Sequence, residues 1–182
     1  MKKIIFIDLD GTLIDTCSGE TFPKGVWDMS IKWGVWDALK NFVKENNTEF
    51  ICIVTNQGGI ENGYVNKYRW MNKFRYIQSA LQEYLNQCND LGVKVYGEYC
   101  TSNNKDDFSR KPNKGMLWHF IFAKTCWHEI QIDIPKSEMI MIGDASGKPN
   151  DFSDTDKKTA ENFEIDYLDV NDMVAWFNNN KE

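Results

Sequence analysis

Asp8 and Asp10 stand two residues apart at the end of Ile-Ile-Phe-Ile (4–7), an apolar run rich in β-branched residues. Such a run reads as a buried parallel strand, and Gly11 marks the abrupt turn that ends it. In an open α/β sheet, ligands collect just beyond the carboxyl ends of the strands. Two carboxylates at that place suit nucleophilic attack and proton transfer. An Asp-Leu-Asp-Gly strand end is also an ordinary turn, so the pair alone leaves both readings open.

Three further stretches have the same design. Ile51-Cys52-Ile53-Val54-Thr55-Asn56-Gln57-Gly58-Gly59 is an apolar run closed by hydroxyl, amides and glycines. Ser109-Arg110-Lys111-Pro112 reads as a helix start carrying two adjacent cations. Met139-Ile140-Met141-Ile142-Gly143-Asp144 is a third apolar strand ending in a carboxylate. Taken singly, Thr55 is a strand-end residue and Lys111 a solvated cation. Taken in order, acid pair, Thr, Lys and Asp form the four-motif signature of the haloacid dehalogenase-like phosphotransferases, which the chain resembles from end to end.

Phosphate monoesters hydrolyse so slowly in water that enzymes supply accelerations of up to ~10²¹-fold, more than one group can provide. The resemblance implies that Asp8 is the nucleophile, forming an aspartyl-phosphate. It implies that Asp10 protonates the departing oxygen and later activates the hydrolytic water. Thr55 then donates a hydrogen bond, Lys111 neutralises the phosphate, Asn56 shapes the loop, and Gln57 and Arg110 face the substrate. Backbone N–H groups around Gly11 and Thr12 add fixed dipoles where negative charge builds. Two acids beside a dianion need a hard cation with oxygen ligands, and magnesium suits them. By the family pattern its ligands are Asp8, Asp144 and the backbone carbonyl of Asp10. Asp151, Asp154 and Asp156 follow Asp144; Asp151 and Asp154 are the expected second supporting acids, with helix capping and surface charge as the plain alternative.

The elements that hold these residues alternate. Strand signals fall at about 3–8, 49–55, 93–99 and 138–143, with a shorter one near 165–168. Between them lie helical stripes: Trp36, Leu39, Phe42 and Val43; Trp70, Phe74, Ile77, Leu81 and Tyr84; Met116, Leu117, Phe120 and Ile121; and Met173, Val174 and Phe177. Alternation of this kind predicts an α/β fold: a doubly wound, mostly parallel sheet covered on both faces. No cap-sized insertion follows the first two motifs, so a rather open site on a single domain, 1–182, is expected.

Bulk properties agree. The 182 residues are 42% hydrophobic and 26% charged, with a net charge of −6, ordinary for a globular chain. No run approaches the ~18–20 apolar residues of a membrane span, and no signal peptide is legible, so cytoplasmic residence is expected. The five cysteines are scattered and odd in number, which reads as reduced thiols rather than a disulfide framework or zinc site.

Finer resemblance narrows the substrate. Ser18 to Pro23, Thr55 to Ile60, Arg110 to Met116 and Gly143 to Lys148, followed by Asp151-Phe152-Ser153 and Asp156, resemble the 3′-phosphatase domain of polynucleotide kinase-phosphatases. That implies removal of a 3′-phosphate from a DNA or RNA end. The histidinol-phosphate and heptose-bisphosphate phosphatases share Thr-Asn-Gln and Arg-Lys-Pro. They carry a Cys/His zinc loop before Arg-Lys-Pro, whereas residues 100–109 here hold one thiol and no imidazole. Gly143 to Lys148 also resembles a P-loop but has the wrong glycine spacing, and Pro149 replaces the Ser/Thr; a phosphatase without a kinase module is therefore expected. The two histidines, His119 and His128, read as structural or exposed.

Residues 64–76 contain Lys67, Arg69, Lys73 and Arg75 without an acid and with aromatics between them. That pairing suits backbone contact and base stacking on a single strand, and Lys67 and Arg69 are the expected substrate contacts. The competing reading makes Trp70 and Phe74 core and the cations a solvated face. The expected partner is thus a phosphorylated nucleic-acid end or a small phosphomonoester, with no partner protein implied. An idle scaffold domain, the remaining reading, is opposed by the intact motifs.

Overall fold

The computed structural model describes residues 1–87, 91–126, 133–149 and 151–180; Cys88 and His128 lie outside them. Five parallel strands form the central sheet: β1 (Ile4–Ile7), β4 (Phe50–Asn56), β5 (Lys94–Cys100), β6 (Met139–Gly143) and β7 (Asp166–Asp169), in the order β5-β4-β1-β6-β7. Every expected strand is present, each end within about one residue of its sequence signal. Helices α1 (Trp33–Asn46), α3 (Lys67–Asn86) and α6 (Val170–Asn179) lie with one face of the sheet. Helices α4 (Gly115–Cys126) and α5 (Thr155–Phe163) cover the other.

Alternation along each strand decides which core a residue joins. Ile5 and Ile7 of β1, Ile51 and Ile53 of β4, and Ile140 and Ile142 of β6 pack with Trp36, Leu39, Trp70, Ile77 and Met173. Ile4 and Phe6, Cys52 and Val54, and Met139 and Met141 point the other way, to Leu117, Phe120 and Phe163. Phe6 meets Phe120 and Phe163 edge-on, at centroid distances of 5.8 and 6.1 Å. With both faces covered, the strands read as continuous apolar runs, because neither face keeps polar residues for water.

The chain runs from β1 outward to β4 and β5, then crosses back over β1 to β6 and β7. Strand order therefore reverses at β1, and the crevice beyond its carboxyl end is where an open α/β sheet binds ligands. Asp8 and Asp10 follow β1 directly.

Between β1 and α1 the chain makes a small antiparallel ribbon, β2 (Ile14–Asp15) with β3 (Ser30–Ile31). Strands of two residues leave no periodicity to read, so sequence patterning could not announce it. Residues 109–114 form turns, and α4 begins only at Gly115, with α2 (Gly58–Glu61) a single turn after β4. This corrects the expected helix start at Ser109: Pro112 disfavours helical backbone at the residue before it. No helix among the described residues is long and apolar enough to cross a membrane.

Candidate active site

The turn after β1 is closed by its own backbone. The N–H groups of Leu13 and Ile14 donate to the Leu9 carbonyl at 2.9 and 3.1 Å, and that of Gly11 donates to Ile14 O at 2.8 Å. The Gly11 N–H is therefore spent inside the turn, which corrects its expected part as a donor to phosphate. The value of Gly11 is conformational and steric. Its φ is +85°, and a Cβ there would sit 2.3 Å from Asp144 Oδ2. Lys32 fastens the turn from the flank, its Nζ donating to Gly11 O at 2.5 Å.

Thr12, fully buried, links β1 to the end of β6. Its hydroxyl donates to Asp144 Oδ1 at 3.2 Å and accepts the Asp144 N–H at 3.1 Å. The hydroxyl is thus committed to orienting Asp144, apart from the part expected of the backbone N–H groups around Thr12.

Asp8, Asp144 and Asp156 converge, with one carboxylate oxygen from each within 4.8 Å of the others. Lys111 joins them: its Nζ donates to Asp8 Oδ1, and to Asp156 Oδ1 at 2.7 Å. Three carboxylates against one ammonium leave a surplus of negative charge in a place from which water is largely excluded. Burial pushes the Asp8 carboxyl up to about 8; Lys111 opposes the shift and crowding by Asp156 and Asp144 adds to it. Burial also raises Asp144, and Asp156 raises it further. Desolvation works to lower the Lys111 ammonium, but Asp156 and Asp8 outweigh it and hold the side chain protonated.

Asp156 corrects the expectation of Asp151 or Asp154 as the supporting acid. It lies in the first turn of α5, whose buried residues Asp156, Thr159, Ala160 and Phe163 recur at helical spacing. Its Oδ2 accepts the Ala145 N–H at 3.2 Å. Gly143 allows the approach, since a Cβ there would fall 2.1 Å from that oxygen. Asp151 instead closes the loop after β6, accepting from Ser146 N–H, Ser146 Oγ and Lys148 N–H at 3.0, 2.5 and 2.9 Å. Asp154 is the N-cap residue of α5 and pairs with Lys158 at 2.7 Å. The missed signal was the phase of the apolar stripe in α5, which turns position 156 inward.

Asp10 occupies the mouth, its side chain half exposed. Gln57 Nε2 donates to Asp10 Oδ2 at 2.6 Å and to Thr55 Oγ1 at 2.8 Å, while Thr55 Oγ1 lies 3.5 Å from the same carboxylate oxygen. Asn56 grips the backbone of Lys111 twice, at 2.9 Å each way. This reciprocal amide clamp ties β4 to the Lys111 turn and sets the lysine's depth. Arg110 turns away from the carboxylates, its Nη1 donating to Ser102 O at 2.6 Å. Lys67 and Arg69 stand exposed on the first turn of α3 and form no ion pair among the described residues. Lys73, by contrast, is buried, with Nζ 4.0 Å from Asp10 Oδ1. The solvated-face reading of this stretch therefore fails at Lys73, where the helical phase meets the site.

The three acids suit a hard divalent cation, because they offer oxygen donors only and carry uncompensated charge. A cation bound to the folded protein alone stabilises it by mass action. Added magnesium should thus raise the melting temperature and an excess of chelator should reverse the rise; an unchanged melt would remove the cluster as a cation site.

Residues 3–172 match the family model described as polynucleotide kinase 3 phosphatase. A bifunctional polynucleotide phosphatase/kinase of Schizosaccharomyces pombe is 33% identical over 171 residues, covering 91% of this chain and 36% of that protein. The chain thus spans about a third of that relative's length. A D-glycero-beta-D-manno-heptose-1,7-bisphosphate 7-phosphatase of Haemophilus influenzae is 33% identical over 153 residues, covering 79% of this chain and 72% of the other. Among solved structures, the D,D-heptose 1.7-bisphosphate phosphatase of B. bronchiseptica, crystallised with magnesium and phosphate, superposes with a TM-score of 0.61 at 16% identity, over the full length of both chains.

Proposed function

The chain is a phosphatase that belongs to the polynucleotide kinase 3 phosphatase family of the haloacid dehalogenase-like enzymes, and on that premise we propose that it removes 3′-phosphates from polynucleotide ends through an aspartyl-phosphate on Asp8. The observation that carries the chemistry is the meeting of Asp8, Asp144, Asp156 and Lys111 below a half-exposed Asp10.

Asp8 Oδ1 is held by Lys111, which leaves Oδ2 to attack phosphorus. As the P–O bond to the leaving group breaks, its electrons pass to the departing oxygen and Asp10 delivers the proton that makes it a hydroxyl. Lys111, already an ammonium, offsets charge on the acyl phosphate. In the second half, the Asp10 carboxylate takes a proton from water as that water attacks phosphorus. The acyl P–O bond then breaks, restoring the Asp8 carboxylate and releasing inorganic phosphate. Thr55, held by Gln57, presents its hydroxyl beside Asp10. Asp8, Asp144 and Asp156 would hold a magnesium ion, which supplies Lewis-acid stabilisation of the phosphoryl oxygens. The B. bronchiseptica phosphatase, of the same fold, was crystallised with that metal.

Exposed residues around this end of the molecule support a polynucleotide. Lys67 and Arg69 alternate with Tyr64 and Tyr68, 83% and 79% exposed, a pairing of cations with ring faces that suits a strand. The Haemophilus relative favours a second reading, a small phosphomonoester such as a sugar bisphosphate.

One assay separates the two. A 3′-phosphorylated oligonucleotide and a panel of sugar phosphates are turned over with magnesium and with chelator. Preference for the oligonucleotide, lost on reversing the charge of Lys67 and Arg69 while p-nitrophenyl phosphate is spared, is the expected outcome. Preference for a sugar phosphate would sink the polynucleotide reading and leave the phosphatase chemistry intact.

A further inference from the structure

Lys73 occupies a position where a helix facing a core normally carries an apolar residue. The buried residues of α3 are Trp70, Lys73, Phe74, Ile77, Leu81 and Leu85, and Lys73 is 3% exposed. Trp70 and Phe74, stacked at 4.9 Å with Tyr99 against both, form the aromatic floor on which α3 packs. A buried ammonium is costly unless paired. Among the described residues, the one carboxylate within ion-pair distance of Lys73 is Asp10, at 4.0 Å.

Asp10 needs such a partner. Its side chain is half exposed and, among the described residues, anchored through Oδ2 alone, whereas proton transfer requires the whole carboxyl in one orientation. Gln57 and Thr55 approach Oδ2 from the end of β4. Lys73 lies nearest Oδ1, from a different element. Hydrogen bonds to Oδ2 from the strand end and a buried positive charge 4.0 Å from Oδ1 on the helix bias the orientation of the carboxyl as neither does alone.

We propose that Lys73 is a positioning residue for Asp10, holding the carboxyl where it can protonate a poor leaving group. The inference rests on the proton-donor role given to Asp10 above and extends it to a residue outside the four motifs. Lys73 makes no contact with substrate in this scheme; the proton still moves from Asp10 to the oxygen released when the P–O bond breaks. Its contribution therefore scales with how much the departing oxygen needs that proton. A nucleoside 3′-alkoxide needs it; p-nitrophenolate, stable as an anion, does not.

Lys73→Met keeps the length and packing of the stem and removes the charge. Expected is a fall in kcat on a 3′-phosphorylated oligonucleotide of about tenfold or more, a part of the ~10²–10⁴ that general acid catalysis supplies. KM should stay within about threefold, and kcat on p-nitrophenyl phosphate should fall clearly less than on the oligonucleotide, since that substrate needs Asp10 only as the base of the second step and not as the donor of the first. Lys73→Arg, which retains the cation, should recover most of the loss; if the Met variant melts below the assay temperature, Lys73→Gln takes its place in the comparison.

In an Asp10→Asn background the Lys73 substitution should cost nothing more, because residues acting through one another are not additive. Equal losses on both substrates, no loss on either, or a further loss in the Asp10→Asn background would each overturn the proposal. If Asp10→Asn itself fails to distinguish good from poor leaving groups, the proton-donor role falls. A selective loss in Lys73→Met alone would then mark a separate function for the lysine and overturn its action through Asp10.

Discussion

Asp8→Asn should abolish turnover of every phosphomonoester, by on the order of 10⁴-fold or more, the scale on which removal of a nucleophile acts. The substitution keeps the shape of the side chain and its place after β1 but removes the anion that attacks phosphorus. Stability should move the other way. Burial already holds the Asp8 carboxyl up to about 8, so its charged form is disfavoured in the folded protein at neutral pH. A neutral amide relieves that penalty, and the metal-free variant should melt no lower than the parent. Its response to magnesium should shrink, because one of three carboxylates is gone. Acid-quenched reactions with ³²P-labelled substrate give a direct check: the parent should retain label on protein and Asp8→Asn should not. Retained turnover would remove Asp8 as nucleophile, whatever the melt shows.

This opposition between stability and function bears on what could be read from the chain. The sheet was legible because its strands are buried on both faces and appear as unbroken apolar runs between turn residues. Asp8, Asp10, Thr55 and Asp144 were legible for the same reason: each lies at or just past the end of such a run, where a parallel sheet gathers ligands. Lys111 was found through its motif, although the helix expected around it starts later, at Gly115.

What escaped notice broke a local rule. Asp156 and Lys73 are charged residues in buried helical positions, where patterning expects apolar side chains, so the sequence leaves Asp156 as one of three acids after Asp144 and Lys73 as one of four cations on a substrate-facing or solvated surface. Each becomes intelligible only when the partner is visible, Lys111 for the first and Asp10 for the second. The reverse holds for the Gly11 N–H. Its type and place suggest a phosphate contact, yet the tight turn consumes it. Donor type in a sequence says what a group can do; only the local geometry says whether it is already engaged.

Lys111→Met carries the second large effect, on folding as well as on rate. Lys111 is buried and serves Asp8 and Asp156 together. Taking away one partner of a buried ion pair leaves uncompensated charge and costs roughly 3–5 kcal/mol. Catalysis should be lost with it, since no other described cation contacts Asp8. The stability loss should also depend on pH in a defined direction. A carboxyl whose folded pKa lies above its unfolded value binds protons more tightly when folded, so stability falls as pH rises between the two values. For Asp8 in the parent that window runs from 3.8 to about 8, and Lys111 is the chief influence restraining the shift. Without the lysine, the melting temperature should drop more steeply across pH 5 to 8 than in the parent, and magnesium should recover much of the difference by supplying the missing positive charge. A variant that melts like the parent at every pH would mean that the ammonium does not balance these acids, and with that the charge arrangement proposed for the site would fail.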